Sequence, residues 1–160
     1  MINRDAYFCG TDIPFTEPEM VENDDLVVYP AVAVGIVPIF NIPGVQNITL
    51  PRNVLAQIFD GTIENWNDVD IVASNPLLSS VSDPILVVAR SDASGETCIL
   101  TQSLSAFDVD FASNVGAGEA VNWTANIDFD RLVLVSSPSQ MTSVVRSTPV
   151  SCIVLIDFCL

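Results

Sequence analysis

The segment Arg90-Ser91-Asp92-Ala93-Ser94-Gly95-Glu96-Thr97 follows directly on the apolar run Ile85 to Ala89, itself introduced by Asp83-Pro84. Such a run reads as a strand, and Ser94-Gly95-Glu96 reads as the opening of a helix with Ile99, Leu100, Leu104 and Phe107 on its apolar face. Strand, Ser-Gly turn and helix start together make an anion-site geometry. The first turn of a helix carries unpaired backbone N–H groups and about half a positive charge, so phosphate or sulfate docks there without a lysine. Arg90 adds a guanidinium fork that meets two oxyanion oxygens at once. The competing role for Arg90 is a structural ion pair with Asp92 or Asp12; for Ser94 it is plain helix capping.

Other chemistries are poorly supplied. All five basic residues are arginine, at positions 4, 52, 90, 131 and 146, and neither histidine nor lysine occurs. That removes imidazole bases, Schiff-base lysines and His-ligated metals. Asp12, Asp92 and Glu96 form a possible carboxylate cluster for acid/base work or a hard cation, although scattered acids are usually a solvated face. No cofactor is implied and an enzyme is the weakest class. Twenty acidic residues against five basic ones leave a net charge of −15, which excludes a basic nucleic-acid binder.

With 160 residues, 49% of them hydrophobic, and a mean hydropathy of +0.46, the chain reads as one folded domain, residues 1–160, with its charge in a thin polar skin. The uncharged stretch from Leu26 to Pro51 is broken by Pro30, Gly35, Pro38, Pro43 and Gly44, so it reads as buried strand rather than a membrane span. The start, Met1-Ile2-Asn3-Arg4-Asp5, has no secretory h-region, which fits an intracellular chain or a piece of a larger precursor. The sequons at Asn47 and Asn122 favour a piece of an extracellular protein. Cys9, Cys98, Cys152 and Cys159 allow two disulfides in three connectivities, or four buried apolar thiols, and lack zinc-site spacing.

The elements around this segment alternate, as in an α/β domain. Strands are expected at Ala6 to Cys9, Val27 to Val34, Ile36 to Asn41, Leu132 to Val135 and Val150 to Leu155. Helices are expected from about Glu17, after Pro51 with Val54, Leu55, Ile58 and Phe59 as its stripe and Gly61 as its stop, near Val69 to Ser74, and around Gln140 to Arg146. Strands separated by helices run parallel as a rule.

Four motifs in order resemble those of the phosphate-binding proteins that serve bacterial phosphate ABC importers, a family with a two-lobed periplasmic-binding-protein fold. Gly10-Thr11-Asp12-Ile13-Pro14-Phe15 is similar to G-[AS]-S-D-A-P-L, and Tyr29-Pro30 with Val37-Pro38-Ile39-Phe40-Asn41-Ile42-Pro43-Gly44-Val45 to F-P…V-P-V-Y-N-L-P-G-V. Leu55-Ala56-Gln57-Ile58-Phe59-Asp60-Gly61 with Ile63 to Asp68 resembles L-A-x-I-F-x-G-x-I-x-x-W-[ND]-D, and Arg90 to Thr97 resembles R-S-D-G-S-G-T-[TS]. The likeness runs from about Tyr7 to Leu155 and corresponds to the middle of a family member, mainly its second lobe. It implies one lobe of that fold: a mixed, mostly parallel sheet flanked by helices.

Residue by residue, the resemblance implies that Arg90 neutralises phosphate, Ser94 donates its hydroxyl and N–H, Gly95 donates its N–H, and Asp12 accepts from a protonated phosphate oxygen. Glu96 stands where the family has a phosphate-donating threonine and puts a carboxylate at the helix start. Ala93 replaces a glycine, and Ser137 to Thr142 and Val150 to Val154 have lost the family's glycines. The expected function is therefore non-catalytic binding of phosphate or a similar oxyanion, with affinity weakened or lost. A complementary lobe is expected on another chain, in a second copy or elsewhere in a precursor. The alternative is a structural or assembly module of a larger extracellular protein, built from a reused solute-binding lobe with ligand binding lost. An extracellular or periplasmic location follows from the resemblance.

Overall fold

The computed structural model describes residues 7–11, 13–123, 132–135 and 152–159. The chain divides into two compact units, Met1–Ala33 and Val34–Leu160. In the first unit, α1 (Glu17–Glu22) carries Pro18 in its first turn, where a missing N–H does no harm. The Glu19 carboxylate accepts from the backbone N–H of Thr16 at 2.8 Å and from its hydroxyl at 2.7 Å. These bonds, the backbone one foremost, hold the Glu19 carboxyl below its usual range. The expected strands of this unit do not form: Tyr7 to Cys9 and Val27 to Ala33 are irregular, with Tyr7, Val27 and Tyr29 exposed. Pro30 withdraws a ladder donor from the second run.

In the second unit, four strands among the described residues form one sheet. These are β1 (Val34–Asn41), β2 (Leu86–Arg90), β3 (Leu132–Val135) and β4 (Cys152–Cys159), in the order β1-β4-β2-β3. β2 runs parallel to β3, with Arg90 opposite Val135, and parallel to β4, with Leu86 opposite Cys152. β1 is antiparallel to β4, from Val34 opposite Cys159 to Asn41 opposite Cys152. The mixed, mostly parallel sheet is thus as the resemblance implied. Pro38 sits in β1, an edge of this sheet, where its absent N–H is tolerated.

β2 is buried on both faces, the mark of a central parallel strand: Val87 and Ala89 join the main core while Val88, pointing the other way, is fully buried too. Around the core lie α2 (Arg52–Phe59), α3 (Val69–Val72), a 3₁₀ turn at Pro76–Ser80, α4 (Gly95–Phe107) and α5 (Val109–Asn114). α2 starts after Pro51, buries Val54, Ala56, Ile58 and Phe59, and ends before Gly61 at φ +84°, a conformation glycine adopts freely. α4 packs against both α2 and α5. α5 is capped by Asp108, whose carboxylate accepts from the N–H groups of Asp110 and Phe111. Its single turn and a half is too short for a periodic signal, which is why sequence missed it.

The apolar face expected for α4 is rotated. Ile99 and Phe107 are exposed, while Thr97, Cys98, Leu100, Thr101 and Leu104 are buried. Both threonine hydroxyls find partners within the fold, so these small polar side chains are buried without penalty.

The cysteines supply no disulfide at the described sites. Cys9 and Cys98 are free thiols, the first exposed and the second buried. Cys152 and Cys159 end the same strand, about 23 Å apart at ~3.3 Å per residue, beyond the ~7 Å reach of a disulfide between them. Of the two sequon asparagines, Asn47 and Asn122 are both exposed. Asp12, the helix expected around Gln140 to Arg146 and the glycine-replacing stretch from Ser137 to Thr142 lie outside the described residues. No helix among the described residues is long and apolar enough to cross a membrane.

Candidate functional site

The parallel part of the sheet delivers Arg90 as the last residue of β2, and the chain then turns into α4 within five residues. A ligand crevice in open α/β sheets lies at this carboxyl end of a strand. Ser94 caps α4 from an extended conformation, φ −151° and ψ 149°; its hydroxyl accepts from the N–H of Thr97 at 3.2 Å and donates to the Thr97 hydroxyl at 2.8 Å. The Ser94 N–H donates to the carbonyl of Glu119 at 3.0 Å. Gly95 is buried at the first helical position and Glu96 follows it.

The loop carrying Glu119 is held in place by a second bond to the same helix. Thr101, fully buried, donates to the carbonyl of Thr97 at 2.7 Å and accepts from the N–H of Gly118 at 3.0 Å. Neither Thr101 nor Glu119 was expected near the site from sequence. The local signal lay in the spacing Thr97-x-x-x-Thr101, which puts two short hydroxyls one turn apart on α4.

The Arg90 guanidinium is nearly buried, with 13% of its side chain exposed, and faces two acids. Its Nε and Nη2 donate to Asp92 at 2.8 and 2.5 Å, a bidentate fork, and its Nη1 donates to the Glu96 carboxylate at 3.4 Å. The hydrogen bonds from Arg90 hold the Asp92 carboxyl below its usual range. The three side chains sum to a formal charge of 1 − 2 = −1. The structure therefore brings Arg90, Ser94, Gly95 and Glu96 together, with Asp92 as the fifth member, while Asp12 is outside the described residues. No cluster of three or more His, Cys, Asp or Glu side chains suited to a metal occurs among the described residues. A carboxylate at the second position of α4 suits the positive end of the helix.

Comparison with known proteins identifies the family. A family model described as the PBP superfamily domain matches residues 2–147. The chain is 39% identical over 125 residues to the phosphate-binding protein PstS of Haemophilus influenzae, covering 77% of this chain and 37% of that one. It is 37% identical over 160 residues to PstS of Methanocaldococcus jannaschii, covering 91% and 41%. In fold it is similar to a high-affinity periplasmic phosphate-binding protein solved with phosphate, at a TM-score of 0.66 and 18% identity, over 98% of this chain and 42% of that one. A phosphate-binding protein from Stenotrophomonas maltophilia matches at a TM-score of 0.57 and 14% identity, over 93% and 45%. The chain thus spans about two fifths of the length of these relatives. With the superfamily model matched over nearly its whole length, the chain belongs to the PBP superfamily, and its curated relatives there are phosphate-binding proteins.

Proposed function

We propose that the chain, residues 1–160, is a non-catalytic oxyanion-binding domain of the phosphate-binding-protein type, weakened toward phosphate by its own acids. Arg90 supplies the cation, Gly95 the backbone donor of the first helical turn, Ser94 a hydroxyl that exchanges its bond to Thr97 for one to the ligand, and Glu96 the modifying carboxylate. The reading rests on one observation: Arg90 closes β2 within hydrogen-bonding distance of the first turn of α4, at 3.4 Å from Glu96. The family resemblance and the names of the relatives supply the ligand class. An extracellular or periplasmic setting fits those relatives, and a complementary lobe, elsewhere in the same protein, on another chain or in a second copy, would face this one.

Equilibrium dialysis of the purified chain against labelled phosphate tests this. Saturable binding that drops about tenfold or more in Arg90→Ala is expected, since a hydrogen bond to a charged group contributes about 1.5–3 kcal/mol. Equal affinity in that variant would place the ligand elsewhere. A second reading, a structural or assembly module with no ligand, is favoured by the engagement of Arg90 with Asp92 and Glu96, and complete absence of binding would select it.

A further inference from the structure

We infer that Glu96 sets the charge selectivity of this site, acting as a tethered anion beside Arg90 so that singly charged oxyanions are accepted in preference to doubly charged ones. The inference rests on the oxyanion-binding reading above and concerns the regulation of the same site.

Arg90 carries the only positive side chain of the cluster, and two carboxylates already lie against it, Asp92 through a two-pronged bond and Glu96 through a single longer one. Asp92 is built into the turn two residues after Arg90 and is the firmer partner by geometry. Glu96 meets Arg90 at the longer distance, 3.4 Å, and its side chain is 20% exposed, so an incoming oxyanion competes first with Glu96 for Nη1. Even when the contact is displaced, the Glu96 charge stays tethered within a few ångströms by the helix backbone. Coulomb repulsion between a fixed charge and a ligand is proportional to the ligand's charge. The penalty on a dianion is therefore twice, in free energy, that on a monoanion, and a neutral residue at position 96 removes both in that proportion. A role limited to packing, capping or hydrogen bonding lacks this proportionality and shifts both ligands alike.

The experiment compares the full chain with Glu96→Gln, an uncharged substitution of nearly the same shape, in titrations with inorganic phosphate and with sulfate at about pH 6, where free carboxylates stay ionised. Phosphate is mostly singly charged there and sulfate doubly charged. Glu96→Gln is expected to raise phosphate affinity at least about fivefold and sulfate affinity at least about 25-fold, the square of the first factor, from a charge about 4 Å away in water-like surroundings. Equal gains for the two ligands, or none, overturn the inference and leave the oxyanion-binding reading standing. Absence of binding by both proteins to both ligands overturns the two together. Circular dichroism of Glu96→Gln confirms that the helix is retained, and Glu96→Asp, which keeps the charge, should preserve the original ratio of affinities.

Discussion

The side-chain amide of Asn75 pairs with both backbone groups of Thr49, accepting from its N–H at 2.8 Å and donating to its carbonyl at 2.7 Å. The same amide nitrogen also donates to the carbonyl of Ile71 at 2.9 Å, so one side chain fastens the loop after β1 to the end of α3. Asn75→Ala removes all three bonds and should destabilise the second unit by about 1–3 kcal/mol. The urea midpoint should fall at unchanged m value; an unaltered midpoint would show that water replaces the amide without loss.

Thr101 is the corresponding clamp at the candidate site. Thr101→Val keeps the shape but leaves the Gly118 N–H without its acceptor, at a cost of about 1–3 kcal/mol, whereas Thr101→Ser keeps the hydroxyl and should cost about 1 kcal/mol. Chemical denaturation of the two variants separates the hydroxyl's contribution from the methyl's. Equal losses would assign the effect to packing.

Phe59 is fully buried at the end of α2, its ring 6.2 Å from that of Trp123. Phe59→Ala should cost about 3–5 kcal/mol. It should also alter the emission of Trp123, which is only 4% exposed and contacts the lost ring, and a spectrum identical to that of the parent would contradict this packing.

Acid should weaken the turn between β2 and α4. Hydrogen bonds from Arg90 lower the Asp92 carboxyl in the folded state, so its contribution is present above the unfolded value of about 3.9 and is lost as pH falls through the folded value. Asp92→Asn should therefore flatten the acid limb of the stability profile while leaving its slope above neutrality unchanged. An acid limb as steep as the parent's would assign the loss to other carboxylates.

Much of the local architecture was legible because its causes are local. Pro51 and Gly61 bracket α2, Ser94 caps α4, and the uniformly apolar run before Arg90 matches a strand buried on both faces. The proximity of the candidate residues was legible in the same neighbourhood, since Arg90, Asp92, Ser94, Gly95 and Glu96 lie within seven residues of chain. The expected strand from Val27 to Val34 failed because an apolar β-branched run becomes a strand only with a partner, and Val27 to Ala33 has none among the described residues. The face of α4 was misjudged for a related reason: Thr97 and Thr101 read as polar until the bonds that satisfy them inside the fold are known.

Composition, charge and motif order thus determined an acidic α/β chain with a strand-turn-helix segment at Arg90, without lysine or histidine chemistry. Tertiary structure decided which carboxylates occupy Arg90, which carbonyl takes the Ser94 N–H, and that β1 runs antiparallel to β4. Alternation along a strand specifies its faces but not its neighbour. The pairing of Val34 with Cys159 joins opposite ends of the second unit, a contact of such long sequence separation that no local pattern specifies it.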